Sequence, residues 1–217
     1  MNNKLNQEEL LGVYEICLEA FAGVSAIITH EIRNNMAVIN ENSGLLDDLA
    51  LMVGDQGAVP NKKVRHIATS INGQIVKANN LMSKFNMFAH SNDTASATLD
   101  VQETLDIMIS LTRRKAKQNR ITVVAGVEEG IQLTTRPLVF EALLYLCLTD
   151  MYTISAQGCS VEVSSSSDGD FITLQLITGA GGGALTSSTE KKAKLLSRAI
   201  QAECDISDNR VAIRLPQ

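Results

Sequence analysis

The sequence predicts an α+β protein: a long antiparallel helical hairpin that pairs with a second copy into a dimeric four-helix bundle, followed by an α/β sandwich. Three observations lead there. Apolar residues recur every three or four positions from Asn6 to Gly54 and again from Asn61 to Phe88, the period of amphipathic helices. After a polar, small-residue stretch at 91–98 the pattern changes to short alternating runs interspersed with helical ones. The 217 residues are 45% hydrophobic and 20% charged, so a sizeable core rather than disorder is expected.

Each element has its own signals. Asn6, with Glu9 three residues on, forms a capping box for the first helix. Its apolar positions are Phe21, Val24, Ile28, Ile32, Met36, Ile39, Leu46 and Leu49, and Gly54 ends it. A helix of about 45 residues exceeds the globular norm and points to a coiled coil or long bundle. Pro60 lies in the connection, and Asn61 is placed to cap the second helix. That helix carries Val64, Ile67, Ile71, Ala78, Leu81, Phe85 and Phe88 at heptad steps, with Gln74 the one polar break. Two such helices expose more apolar surface than one hairpin buries, hence a homodimer. Residues 91–98 read as a linker, dividing the chain into 1–92 and 98–217.

Asp100 caps a helix reaching about Lys117; Ile121–Val127 reads as a strand and Ile131–Leu133 as another. Pro137 opens a nearly all-apolar helix to about Ser155, the pattern of a helix buried on a sheet. Residues 159–165 and 171–178 form a hairpin about the Asp168-Gly169 turn. A glycine-rich loop, a helix over Thr189–Cys204 and a strand at Val211–Leu215 complete the expected order. Helices on one face of a mixed sheet make the sandwich.

Charge and cysteine usage bound the function. A net charge of −5 and a pI near 5.2 argue against nucleic acid as a partner. Cys17, Cys147, Cys159 and Cys204 are scattered without a C-x-x-C, as buried thiols of a reducing compartment would be. The opening MNNKLNQEEL lacks a basic region followed by an apolar one. The most apolar stretch, 138–148, is broken by Glu141 and is too short to span a bilayer. The expectation is a cytoplasmic protein with no membrane association.

The chemistry concentrates in Ile28–Ile39, ITHEIRNNMAVI. His30 lies about 200° around the helix from Ile28, away from the apolar seam, with Asn34 one turn on along the same outward face. An exposed imidazole on a rigid bundle suits phosphoryl transfer, being nucleophilic near neutral pH. Glu31 suits a base, or a partner that holds the other ring nitrogen in its N–H tautomer; Asn34 suits positioning of water or the phosphoryl group. His66 and His90 lack this context and read as structural or solvent-facing.

This segment resembles the dimerisation and histidine-phosphotransfer domain of sensor histidine kinases, whose motif is H-E-[LI]-[RK]-[NT]-P. His30, Glu31, Ile32, Arg33 and Asn34 match position by position, while Asn35 stands where the family has proline, so the helix need not kink there. The resemblance implies His30 as phosphoacceptor and Arg33 and Asn35 as part of a receiver-docking surface.

The stretch from Leu99 resembles the ATP-binding domain of the same kinases in its order of elements. The magnesium-binding pattern N-L-L-x-N-A corresponds to Tyr145-Leu146-Cys147-Leu148-Thr149-Asp150, with Thr149 in place of the key asparagine. A lone threonine suits magnesium poorly, and Asp150 reads as a surface acid rather than a displaced ligand. In the adenine motif D-x-G-x-G, Ile177 replaces the aspartate while Gly179 and Gly181 survive, and the loop after Gly183 leaves no room for a nucleotide lid. Gly179, Gly181 and Ala184 also fit a dinucleotide fingerprint, but too few strands follow for such a site. The expectation is a degenerate domain that binds no ATP, with no cofactor or metal of its own.

Together these predict a histidine phosphotransferase of a multistep phosphorelay, moving phosphoryl groups between receiver aspartates through His30, with magnesium supplied by the receiver. The alternatives are an ATP-dependent kinase with a divergent nucleotide site, and a non-catalytic module that binds response regulators. Phosphatase activity using Asn34 overlaps the first.

Overall fold

A computed structural model describes residues 5–54, 57–179 and 182–217. Two helices open the chain: α1 spans Gln7–Val53 without interruption and α2 spans Asn61–His90. The capping box forms as its residues require: the Asn6 side chain accepts from the Glu9 N–H at 2.8 Å, and Glu9 accepts from the Asn6 N–H. With asparagine rather than proline at 35, every backbone donor through that turn is retained and the helix continues. Gly54 ends α1 with φ of 62°, a conformation costly for side-chain-bearing residues. At the second helix the cap is Pro60, and Asn61 is the first helical residue rather than a side-chain cap. Phe21 of α1 stacks on Phe88 and tilts against Phe85, zipping the hairpin at its α2 end.

The remainder is β1 (Ala97–Asp100), α3 (Val101–Gln118), β2 (Thr122–Gly126), β3 (Gln132–Thr135), α4 (Pro137–Ile154), β4 (Ser160–Ser167), β5 (Phe171–Thr178), α5 (Ser187–Ala199), β6 (Glu203–Ser207) and β7 (Arg210–Pro216). The main sheet is ordered β2-β4-β5-β7-β6, with β2–β4 parallel and the other pairs antiparallel; β1 and β3 form a separate two-stranded ribbon. Alternate residues of β4, β5 and β7 (Val161, Val163, Leu174, Leu176, Ile213, Leu215) are buried on one face, as period-two strands with one covered face demand. This is the mixed α+β architecture that the sequence predicts.

Two elements differ from expectation. Part of the anticipated linker is β1, and the helix expected to reach Cys204 stops at Ala199, giving way to β6. Gln201, at φ 58°, turns the chain back there, a left-handed position filled by a residue that sequence patterns do not flag.

The core explains how the parts meet. α4 is buried almost all round, packed between α1, α3 and α5 with the sheet beneath. The stretch 138–148 thus lies in an 18-residue helix; by length and composition both it and α1 could cross a membrane, but 78% of the α4 window is buried inside the fold. The first half of α1 joins the same core: Val13, Ile16, Cys17, Ala20, Val24 and Ile28 are buried in one cluster with the sandwich. Gly23 is what allows the approach, because a Cβ there would fall on the Tyr145 hydroxyl of α4. Ion pairs Glu9–Arg198 (2.7 Å) and Glu19–Lys192 (2.5 Å) tie α1 to α5. The far half of the hairpin remains bare, with Met36, Leu46, Leu51, Met52, Val64 and Ile75 exposed.

Candidate functional site

The middle of α1 presents the motif. Ile28 turns into the core at 3% exposure, so the residues about half a turn away point outward. His30, Arg33 and Asn34 are exposed, and Glu31 is half-buried. Asn35 differs from the docking role expected of it: it is 7% exposed and lines a cleft between α1, α2 and α3. Its position, one turn past Glu31 on the inner side of the helix, forces it under α2 and α3 rather than out to a partner.

A residue that sequence reasoning did not single out completes the site. Arg114 of α3 reaches across to α1, placing Nη1 3.2 Å from Glu31 Oε2 and Nη2 3.2 Å from His30 Nε2. A guanidinium only donates, so in this contact the imidazole Nε2 is the acceptor and its lone pair is held by Arg114. Glu31, expected as a base or as the partner of the other ring nitrogen, is bonded to Arg114. The carboxylate takes a strong donor, a charged fork that serves both side chains at once. The signal was present as spacing: Ser110, Arg113, Arg114 and Lys117 form one stripe of α3, opposite the buried stripe of Leu105, Met108 and Thr112. What spacing could not supply was the helix that stripe would face.

His66 is exposed, and His90 pairs with Asp93 at 2.7 Å near the end of α2; neither approaches this cluster.

The region matching the nucleotide site is organised differently. Thr149 is buried, and its hydroxyl donates to the Leu146 carbonyl at 3.4 Å. Asp150 accepts from both the backbone N–H (2.7 Å) and the hydroxyl (3.3 Å) of Thr186, fastening the start of α5 to α4. Ile177 sits inside β5, paired with Glu162 and Arg210. A Cβ on Gly182 would strike the Thr178 hydroxyl. Gly181 of the glycine pattern lies outside the described residues.

No family model matches this chain, and no curated protein matches it in sequence. Solved structures do. The nucleotide-free catalytic domain of histidine kinase ThkA is similar with a TM-score of 0.50 at 8% identity, covering 57% of this chain and 98% of that chain. Histidine kinase AdeS of Acinetobacter baumannii gives 0.49 at 10% identity, covering 86% and 97%. A mycobacterial sensor histidine kinase, MprB, gives 0.49 at 15% identity, covering 55% and 96%. Over the 57% matched to ThkA the chain therefore has a histidine-kinase-like fold, with a five-stranded sheet and helices like those of the ATP-binding domain.

Proposed function

We propose that this chain is a dimeric histidine phosphotransferase of two-component signalling, cytoplasmic like the receivers it serves, with His30 as phosphoacceptor. The observation that carries the reading is the exposed imidazole whose Nε2 lone pair is paired with Arg114 beside Glu31. For transfer, the Arg114 side chain swings off Nε2 and the freed lone pair attacks phosphorus of a receiver's aspartyl phosphate. The N–P bond forms, the acyl-phosphate P–O bond breaks, and the aspartate carboxylate leaves, with magnesium supplied by the receiver. Arg114 then lies within reach of the new phosphoryl oxygens and neutralises them. The reverse sequence charges the next receiver. Arg33 and Asn34 flank the ring on the surface a receiver would cover.

What supports transfer without ATP is the donor set. A buried threonine turned toward its own helix and a carboxylate engaged by Thr186 do not fit a magnesium–nucleotide complex. What supports a homodimer is the bare far half of the hairpin, which a second copy would cover.

The test mixes the full-length protein with receiver domains charged by a small phosphodonor and looks for acid-labile phosphate, with Mg-ATP in a parallel lane. Label should reach the wild type from a receiver, fail on His30→Gln, and fall about tenfold or more on Arg114→Gln, since a charge-assisted hydrogen bond contributes about 1.5–3 kcal/mol. Label from Mg-ATP would restore a kinase. No label from any source would leave a binding module.

A further inference from the structure

The cleft beside His30 has a charge pattern that the phosphotransfer reading does not use. It measures about 810 Å³ and is bounded by α1, α2 and α3, within the size range of small-molecule sites. Five cations line it, Lys77 and Lys84 from α2 and Arg113, Arg114 and Lys117 from α3, against one acid, Glu31. This concentration of positive charge occurs in a chain of net charge −5. Two of the five are occupied: Arg114 by Glu31 and His30, and Lys84 by the Asp106 carbonyl and the Ser110 hydroxyl. Lys77, Arg113 and Lys117 are exposed, and their side chains have no hydrogen bond or ion pair among the described residues.

A second feature points into the same space. Asn35, more than nine-tenths buried, lines the cleft and makes no side-chain hydrogen bond among the described residues. Its amide is not among the fully buried polar atoms without a partner, so it stays open to the cleft and to any polar group that enters there. Like charges from two helices converging on one cleft also repel, and a multiply charged anion between them removes that repulsion. Guanidinium groups favour phosphate through paired N–H donors, while lysines add point charges.

We infer that this cleft binds a phosphorylated small molecule of about nucleotide size, held by Lys77, Arg113 and Lys117 with Asn35 as a neutral donor, and that its occupant draws Arg114 away from Glu31 and His30. Binding stands on the cleft alone. Only the consequence, a more accessible His30 nucleophile, rests on the phosphotransfer reading, and the two are separated by the readouts below.

The probe is inorganic tripolyphosphate, titrated calorimetrically into the full-length protein at low and moderate salt. Wild type should bind one equivalent saturably. The Lys77→Gln/Lys117→Gln pair and Arg113→Gln should each loosen Kd about tenfold or more while melting like wild type, because these side chains are exposed and unpaired. The nitrogen resonances of the His30 ring should shift on adding probe to wild type and stay still in Arg114→Gln, which reports the coupling without any phosphotransfer assay. Absence of saturable binding at low salt would overturn the site, as would binding equally tight in the variants. Failure of tripolyphosphate, together with loss of receiver binding in the same variants, would make the cleft a docking surface for an acidic protein and overturn the small-molecule assignment.

Discussion

Glu141 offers a direct test of the packing between hairpin and sandwich. It lies on α4 at 4% exposure, and its Oε2 has no hydrogen-bond partner among the described residues. Burial pushes its carboxyl up to about 7, with the neighbouring Ser91 hydroxyl working the other way. The folded pKa is raised above the ordinary 4.5, so the folded state holds a proton that the unfolded chain has released. Below about pH 4.5 both states are protonated and the group is neutral to stability. From about 4.5 to 7 stability falls as pH rises, and above 7 the full cost is present, about 3 kcal/mol. Glu141→Gln keeps the shape without the charge, so its gain should grow with pH. At pH 5 it should be below about 1 kcal/mol, and at pH 8 about 2–3 kcal/mol after allowing for an imperfectly paired amide. Urea unfolding of both proteins at pH 5, 6, 7 and 8, with slopes compared to confirm equal exposure, provides the measurement. Other titrating groups cancel in the difference. A gain independent of pH, or none at pH 8, would refute the account of a carboxyl whose burial outweighs its contact with Ser91.

Two further expectations follow from packing. Gly23→Ala gains about 1 kcal/mol of helix propensity but drives its Cβ into the Tyr145 ring and hydroxyl. A rigid ring cannot step aside as a flexible chain end would, so a net loss of about 1–2 kcal/mol is expected. Thermal melts should register it, and Tyr145→Leu in the same chain should recover part of the loss as a non-additive effect. Burial also pushes the Cys17 thiol up to about 11 and the fully buried Cys147 further upward. Neither should react with a disulfide reagent near neutral pH until the protein unfolds, and mass mapping of the modified native protein checks this.

Much of the fold was legible because local rules act where they are written. The Asn6–Glu9 box, the Asp100 cap on Glu103, Pro137 at the head of α4 and the Asp168-Gly169 turn each involve residues within a few positions of one another. β6 escaped because Glu203–Ser207, though it alternates polar and apolar residues, is only five residues long with Cys204 and Ile206 as its apolar positions; its pairing with β7 defines it as a strand. The apolar stripe of α1 was readable as a stripe, yet its first half faces α4 and α5 while its second half stays open. Periodicity gives a face but not the identity of the neighbour.

The same division runs through the site. The sequence by itself determined that His30 and Asn34 point outward from a continuous helix, because 100° per residue and a buried Ile28 leave them nowhere else to point. Only the tertiary structure decided that Asn35 turns inward, that Glu31 serves Arg114 rather than the imidazole, and that a guanidinium more than eighty positions away holds the His30 lone pair. Those facts depend on α3 packing against both helices of the hairpin and against α4, and no spacing along the chain encodes that arrangement.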